Sequence, residues 1–406
     1  MNPFADKTII LGVTGSIAAY KAAMLASRLY QAGARVHVAM TEAAMHFIAP
    51  LTFESLTHNP VLQSVFELGA GSEIEHVTLA KRAALIIIAP ATANTIAKLA
   101  HGLADDAISA LVLDTRAPIL LAPAMETGMW ENSATQENIA KLKTRGVTML
   151  EPNVGHLASG AEGKGRMGEP DEIFGAARLL LARDGSLAGT RVLVTAGGTR
   201  EAIDPVRVIS NHSSGKMGYA LAEEALARGA AVSLITSVDD LPLPYGAQVT
   251  RVASTQDLGD ATLSRMRDAD VLIMAAAPAD FRPSFTATEK IKKETTDDLT
   301  LHLVRNMDIL GEVARIRSEQ PQAAPCVVVG FAAETNDLLS NARSKLERKR
   351  LDLIVANPVP QTFGSDNVKA TLLSKNGKQT DLEPMSKDNL ASLILDEVEK
   401  ILANQN

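Results

Sequence analysis

At 406 residues the chain is long enough for two or three domains with full cores, and 46% hydrophobic with 21% charged residues is an ordinary globular composition. A net charge of -7 without a basic cluster argues against a nucleic-acid partner, and a single cysteine excludes an internal disulfide and a multi-cysteine metal site. The stretch Met1–Lys7 lacks the regions of a signal peptide, and apolar runs such as Leu85–Ala89 are too short to span a bilayer, so a cytoplasmic protein with no membrane partner is expected.

Thr8–Val13 reads as a strand covered on both faces, followed by a turn at Gly12–Ser16. Ser16 is expected to cap a helix from Ile17 to Gln31, with Gly33 ending it and Arg35–Met40 forming the next strand. Leu85–Ala89 is another buried strand leading to a helix over Thr95–His101, and Pro118–Leu121 a further one. Gly155–Gly168 is too glycine-rich for a regular element and is expected as a mobile loop, on which Lys164 and Arg166 can close over an anion. A helix over Phe174–Arg183 completes the first half, and the polar stretch Arg183–Gly189 sets domain limits of 1–188 and 189–406.

The second half repeats the alternation. Strands are expected at Arg191–Thr195, Ala231–Thr236, Val271–Met274, Cys326–Phe331 and Leu353–Ala356, with Cys326 a small buried hydrophobe. Helices are expected at Gly215–Arg228, Thr255–Arg267, Asp308–Ser318, Asp337–Lys349 and Lys387–Ala403. After the first of these strands, Gly197 and Gly198 make a turn. A polar loop then runs through Asp204 and Asn211 to Ser213-Ser214-Gly215-Lys216, where backbone donors at a helix start suit an anion. Asp280–Lys293 is an excursion from the sheet. Two doubly wound, Rossmann-like α/β domains follow from this order.

The first turn, Gly12-x-x-Gly15, is not the G-x-G-x-x-G fingerprint of a plain NAD domain, and no acidic residue ends the second strand. In the first half, Ser16, Thr41, Thr92 and Asn94 stand at strand ends, where open α/β sheets place ligands, and suit a phosphate-bearing cofactor. In the second, Phe331 can stack on a base, with Glu334 near the same edge. Lys345 and Lys349 share a helix face and, with Lys290, can offset a triphosphate, while Asp280 can hold Mg2+ on the phosphates. His76 and the lone Trp130 read individually as packing residues.

Four motifs occur together in order. They are Gly15-Ser16-Ile17-Ala18-Ala19-Tyr20-Lys21, Ala89–Lys98, Gly163-x-Gly165-Arg166-Met167, and Asp204-Pro205-Val206-Arg207 continuing through Ser213-Ser214-Gly215-Lys216-Met217-Gly218. With them the whole chain resembles the bifunctional bacterial coenzyme A biosynthesis proteins, in which an FMN-binding phosphopantothenoylcysteine decarboxylase is fused to a phosphopantothenate–cysteine ligase. The resemblance implies that the second half uses CTP to activate 4′-phosphopantothenate as an acyl-cytidylate, which cysteine then displaces. Lys290 matches the residue supporting acyl-cytidylate formation and Asn211 the one supporting amide formation. Met274, Ala275, Ala276, Asp280, Met307, Asp308, Ile309, Leu310, Phe331, Lys345 and Lys349 fall at nucleotide positions. The first half is implied to bind FMN through Gly15, Ser16, Thr41, Thr92, Asn94 and Ser109. There the product's cysteinyl thiol is oxidised and carbon dioxide lost, and the electrons return to give 4′-phosphopantetheine. His76 matches the family's active-site histidine. The family's oligomers imply trimers of flavin halves and dimers of ligase halves, together a dodecamer.

The sequence departs from the family pattern at three places. Asn306-Met307-Asp308 replaces Asn-Pro-Asp, Glu126 stands where a substrate-binding Asn is usual, and Ser159 stands at the lid cysteine that acts as an acid. A hydroxyl is a far weaker acid than a thiol of pKa about 8.5, and an ionised Glu126 repels a substrate carboxylate. Three readings therefore stand. Both reactions run; or only the ligase does, the flavin half being a scaffold or binding module; or the flavin half has another decarboxylase specificity.

Overall fold

The computed structural model describes residues 2–66, 74–292, 299–334, 336–358 and 367–404. Two compact units emerge from its contacts, Asn2–Ala182 and the residues from Arg183 onward.

The first unit begins with β1 (Thr8–Val13), α1 (Ala19–Gln31), β2 (Arg35–Met40), α2 (Glu42–Met45) and α3 (Pro50–Thr57). Then come α4 (Glu75–Arg82), β3 (Leu85–Ala91), α5 (Ala93–His101), α6 (Ala107–Asp114) and β4 (Ile119–Pro123). It closes with α7 (Thr127–Glu131), α8 (Ser133–Thr144), β5 (Thr148–Met149), β6 (Asn153–His156), β7 (Glu162–Arg166) and α9 (Pro170–Ala182). Its sheet has the order β2-β1-β3-β4-β5 and is parallel throughout. Every residue of β3 is buried, as an apolar run between two helical layers demands.

Two expectations are corrected here. The first helix starts at Ala19 and not at Ile17, because Ser16 closes a turn, its carbonyl accepting from Ala19 N–H and its hydroxyl from Ala18 N–H at 3.3 Å. Gly155–Gly168 is not an irregular loop: β6 and β7 pair as an antiparallel hairpin. Glycine serves that hairpin by close approach. A Cβ at Gly165 would strike the Met125 carbonyl oxygen, and one at Gly163 the Thr127 hydroxyl.

The second unit opens with β8 (Arg191–Ala196), β9 (Arg200–Asp204), β10 (Arg207–Ser210), α10 (Lys216–Ala227), β11 (Ala231–Thr236) and β12 (Gln248–Arg251). It continues through α11 (Thr255–Arg265), β13 (Val271–Met274), β14 (Phe281–Pro283), β15 (Leu303–Arg305), α12 (Ile309–Glu319) and β16 (Val327–Glu334). Last are α13 (Leu338–Arg348), β17 (Leu353–Pro358), β18 (Asn367–Ser374), β19 (Gln379–Ser386) and α14 (Lys387–Ala403). The sheet order is β12-β11-β8-β13-β16-β17-β18-β19, parallel as far as β17 and antiparallel in the final hairpin.

Two readings of this half are also corrected. The polar loop after Gly198 is the β9–β10 hairpin; the Asp280 segment does leave the main sheet, as expected, and forms a ribbon of β14 with β15. Cys326 is exposed and lies just before β16 instead of inside it, its carbonyl taken by the Arg317 guanidinium at 2.8 Å. Lys293 and the side chain of Glu334 lie outside the described residues.

Candidate functional sites

In the first unit a cavity of about 650 Å³ opens at the carboxyl ends of β1 and β3, where the chain reverses its winding direction. Thr41 caps α2, its hydroxyl accepting from Ala44 N–H at 3.2 Å, and Thr92 caps α5 by accepting from Thr95 N–H at 3.3 Å. Buried Thr14 ties the strand ends together, donating to the Pro90 carbonyl at 2.7 Å and accepting from Thr92 N–H at 3.2 Å. Gly15, Ser16, Thr41, Thr92 and Asn94 all line this cavity, with Thr95, Lys98, Asp105, Asp106, Met125 and Met129.

Among the described residues Lys98 is the one Lys or Arg of the lining, against the carboxylates of Glu42, Asp105 and Asp106. Lys98 bridges Asp105 at 2.8 Å and Asp106 at 3.0 Å. Hydrogen bonding, first to Asp105, holds the Lys98 ammonium above its ordinary pKa. Burial works against the Asp106 carboxylate, but the Ser109 N–H and Lys98 outweigh it and keep Asp106 below the usual range.

Two residues expected here are placed elsewhere. Ser109 does not line the cavity; it is the buried third residue of the α6 capping box, its hydroxyl donating to Asp106. His76 sits in the first turn of α4, likewise off the lining, and its Nδ1 is buried with no hydrogen-bond partner among the described residues. A buried polar atom left so costs about 1–3 kcal/mol, which a ligand or another chain that satisfies it returns.

The β6–β7 hairpin docks beside the cavity, with Met125 N–H donating to the Gly165 carbonyl at 3.0 Å. The two departures from the family meet at this contact. Ser159 at the hairpin tip donates its hydroxyl to the Glu126 carboxylate at 2.9 Å, and Glu126 immediately follows cavity-lining Met125. The lid cations are not free, contrary to expectation: Lys164 pairs with Glu151 at 2.8 Å and lies 5.5 Å from the Trp130 ring centre, and Arg166 pairs with Glu169 at 2.7 Å. Glu169 also receives buried Lys21 at 3.0 Å, which, together with a bond from Lys21 to the Met167 carbonyl, anchors the segment following β7.

In the second unit a cavity of about 510 Å³ lies beyond the carboxyl ends of β13 and β16. Met274, Ala276, Asp280, Met307, Asp308, Ile309, Leu310, Phe331, Lys345 and Lys349 line it, as expected; Ala275 and Lys290 do not. Sequence reasoning missed Phe281, Arg305, Asn306 and Arg348, of which Arg348 was legible as lying three residues beyond Lys345 on one helix face.

Lys345 donates to the Phe331 carbonyl at 2.8 Å, and Lys349 forms an ion pair with Asp308. Asp308 also caps α12 through Gly311 N–H. Burial raises its carboxyl, but Lys349 and Gly311 prevail and hold it low.

Beneath the cavity's near wall a buried polar cluster sets the course of the chain after β13. The Glu201 carboxylate accepts from the Thr255 N–H and hydroxyl at 2.9 and 2.8 Å. The Thr255 hydroxyl meets that of Thr199 at 2.8 Å, and Thr199 accepts from Ala279 N–H at 2.8 Å. Asn306 completes the brace, donating to the Ala279 carbonyl at 2.8 Å.

Asn211 reaches the same loop, donating from Nδ2 to the Pro278 carbonyl at 3.0 Å. Lys290 is exposed, but its successor is fixed: Ile291 N–H donates to Asp204 at 3.1 Å, and Arg207 holds the Ile291 carbonyl at 2.7 Å. Arg207 and three backbone N–H groups keep the buried Asp204 carboxyl far below its ordinary pKa. The Asp204–Arg207 pair of the fourth motif thus positions the Lys290 segment. Among the described residues no group of three or more His, Cys, Asp or Glu could hold a metal, so Asp280 stands as a single exposed carboxylate.

Comparison with known proteins now bears on both cavities. Residues 3–179 match the family described as Flavoprotein, and residues 187–402 the family described as DNA/pantothenate metabolism flavoprotein C-terminal domain. The chain is 44% identical over 99% of its own length and 99% of the relative's to the coenzyme A biosynthesis bifunctional protein CoaBC of Mycolicibacterium smegmatis. It is 43% identical, over the full length of both chains, to the protein of the same name from Vibrio vulnificus. Among solved structures, a C-terminal domain of a CoaBC protein is 35% identical over 54% of this chain and 99% of that one, with a TM-score of 0.46. A cysteine-to-serine mutant of a PPC decarboxylase, complexed with pantothenoylaminoethenethiol, is 31% identical over 43% of this chain and 97% of that one, with a TM-score of 0.39.

Proposed function

The chain belongs to the family of bifunctional coenzyme A biosynthesis proteins, which join phosphopantothenate–cysteine ligase and phosphopantothenoylcysteine decarboxylase in one polypeptide, and from that premise we propose that each reaction occupies one of the two cavities. The first cavity takes FMN, which supplies two-electron oxidation and reduction. The second takes CTP. The observation that carries this division is the lining of the second cavity: two aromatic side chains, Phe281 and Phe331, and four cations, Arg305, Lys345, Arg348 and Lys349, share one space at the strand ends.

In the ligase half the cations offset the charge of the nucleotide phosphates as 4′-phosphopantothenate attacks, and Lys290 on its pinned segment joins them. Asp280 would hold Mg2+, which would supply charge neutralisation at the phosphates, a mode that needs no cage of protein carboxylates. Asn211 orients the acyl-cytidylate for displacement by the cysteine amine, its amide already held beside Pro278.

In the flavin half the residues present fit a phosphorylated cofactor. The α5 N-terminus with Ser16, Thr41 and Thr92 lines the cavity, and Lys98 offsets part of the charge of Asp105 and Asp106. Asn94 and Gly15 complete that cradle. His76, off this lining, takes the family's role of base or electrostatic partner of the reacting thiol through its orphaned Nδ1, which substrate or another chain would satisfy. Ser159 and Glu126 hold the hairpin tip beside the substrate.

The substrates are 4′-phosphopantothenate, cysteine and CTP, and the oligomer is the dodecamer of the family. The cytoplasm is the expected compartment; among the described residues no helix is long and apolar enough to cross a membrane.

A second reading, ligase activity with a catalytically impaired flavin half, is favoured by the Ser159–Glu126 contact, which puts a carboxylate and a poor acid where the family has an amide and a thiol. One experiment separates the two. The full-length protein is supplied with 4′-phosphopantothenate, CTP, Mg2+ and cysteine, and products are followed by mass spectrometry. Formation of 4′-phosphopantetheine supports both steps; accumulation of phosphopantothenoylcysteine establishes the second reading; failure to consume CTP overturns the ligase assignment.

A further inference from the structure

We propose that the ligase unit carries a second binding site, for a small amphipathic anion, in the cleft between α13 and the β18–β19 hairpin, and that its occupancy tunes nucleotide binding. This cleft has a volume of about 480 Å³, close to that of the nucleotide cavity. Its floor is the buried trio Leu346, Leu351 and Leu373. Around the rim stand Arg343, Arg350, Lys375 and Lys378, against the single carboxylate of Glu347.

The rim charge is poorly compensated. Among the described residues Arg343 donates only to the neutral Gln379 amide oxygen at 2.9 Å, and the Arg350 side chain reaches only the Ser318 hydroxyl. Lys375 has no side-chain hydrogen bond or ion pair among the described residues, whereas Lys378 is paired with Glu397 at 3.0 Å. Apolar floor and surplus cations together select a ligand with a short hydrocarbon body and one phosphate or carboxylate head. A bare inorganic anion leaves the leucines unused, and a neutral apolar molecule leaves the cations unused.

The route to the nucleotide cavity is short and made of packed atoms. Helix α13 presents Lys345 and Arg348 to that cavity, while Arg343, Leu346 and Glu347 belong to the new cleft. Lys345 holds the Phe331 carbonyl. Leu351, on the floor, packs onto the residue before Phe331: a Cβ added at Gly330 would stand 2.6 Å from Leu351 Cδ1. A ligand wedged on this floor therefore bears on both the strand that carries Phe331 and the helix that carries the phosphate-facing cations. Its effect on CTP equals its difference in affinity between the nucleotide-bound and nucleotide-free states. The coupling rests on the CTP reading given above; the site itself does not.

The test uses the full-length protein and octyl phosphate as probe, with inorganic phosphate and octanol as controls, read by titration calorimetry and by the KM for CTP. Octyl phosphate is expected to bind more tightly than either control and to change the CTP KM by about fivefold, a typical allosteric coupling. In the double variant Arg343→Glu, Lys375→Glu, octyl phosphate affinity should fall at least about tenfold, as loss of charge-assisted contacts implies, while the KM for CTP without probe is unchanged. Equal binding to the variant, equal binding of octanol, or direct competition with CTP overturns the site. A change in particle size of the variant, with no probe binding to the parent protein, also overturns it and makes this face a contact between copies. Unaltered KM at saturating probe overturns the tuning. Absence of CTP turnover, with probe binding and its loss in the variant intact, refutes the CTP reading and leaves the site standing.

Discussion

The two cavities sit at equivalent places, beyond the carboxyl ends of parallel strands, yet they are built by different means. In the ligase unit a buried polar cluster, Glu201 with Thr255 and Thr199, fixes the backbone that forms one wall. In the flavin unit the polar groups are mostly helix caps, and the wall that bears the family's substrate-binding position is an exposed contact between a glycine hairpin and Glu126. Exposed side-chain contacts contribute little and exchange readily, whereas a buried satisfied cluster specifies one geometry. Similar topology therefore delivers a stiff cavity wall in one half and an adjustable mouth in the other.

The largest effects should come from residues with unshared roles. Lys290→Ala is expected to lower ligase turnover about 100-fold, the scale of one lost electrostatic contact to the transition state, while supplied phosphopantothenoylcysteine is still decarboxylated. Equal loss of both activities would make Lys290 a structural residue. In the other half, His76→Asn should cut decarboxylation about 100-fold, the usual range for a lost acid–base group, and spare ligation. If ligation falls with it, the proposed independence of the two cavities breaks.

A middle-sized effect sharpens the contrast in stiffness. Glu201→Leu strands the Thr255 N–H, at a cost of about 1–3 kcal/mol to the ligase unit, while the Thr255 hydroxyl keeps Thr199 as a partner. The CTP KM should rise with it because the Thr255–Thr199 support of Ala279 loses its anchor. Ser159→Ala, which removes only an exposed hydrogen bond, should leave thermal unfolding almost unmoved. Comparable losses from the two changes would erase the distinction.

Acid sensitivity follows from Asp204. Its folded pKa lies below the unfolded value of about 3.9, so its contribution is present above that pH and disappears as pH falls through the folded value. Asp204→Asn should therefore flatten the acid limb of ligase-unit stability below about pH 4, followed by circular dichroism, and weaken ligation at neutral pH by releasing Ile291. An unchanged acid limb would mean that Arg207 finds another partner.

Much of this architecture could be read directly from the chain, for a physical reason. Parallel strands buried on both faces must be continuous apolar runs, so Thr8–Val13, Ala231–Thr236 and Val271–Met274 announce themselves and fall where expected. The β9–β10 hairpin did not, because its inward residues Glu201 and Asp204 are charged and their partners come from distant segments. The β6–β7 hairpin was hidden by glycines required for docking and not for looseness. In the ligase-unit cavity Phe331 was legible at a strand end and Lys345 and Lys349 by their shared helix face, whereas Met274 and Met307–Leu310 came with the family resemblance. In the flavin half Ser16, Thr41, Thr92 and Asn94 were legible at strand ends, and Ser109 was not. Ser109 carries the residue type of a ligand contact but spends its hydroxyl on a cap, a choice fixed by Asp106 three positions earlier and visible as a capping box.

That last residue supplies the smallest and most discriminating prediction. Thr92 and Ser109 are both helix-start hydroxyls, but only Thr92 lines the cavity. Thr92→Ala and Ser109→Ala should each cost about 1 kcal/mol, the usual value of a lost cap hydroxyl. Their flavin contents should part company. Absorbance of the purified protein near the flavin bands should fall in Thr92→Ala and persist in Ser109→Ala, since the latter hydroxyl is sealed under α6 by Asp106. If Ser109→Ala loses flavin as well, the Asp106–Lys98 wall moves when its cap is cut, and the flavin cavity is held from behind by a buried network, as the ligase cavity is.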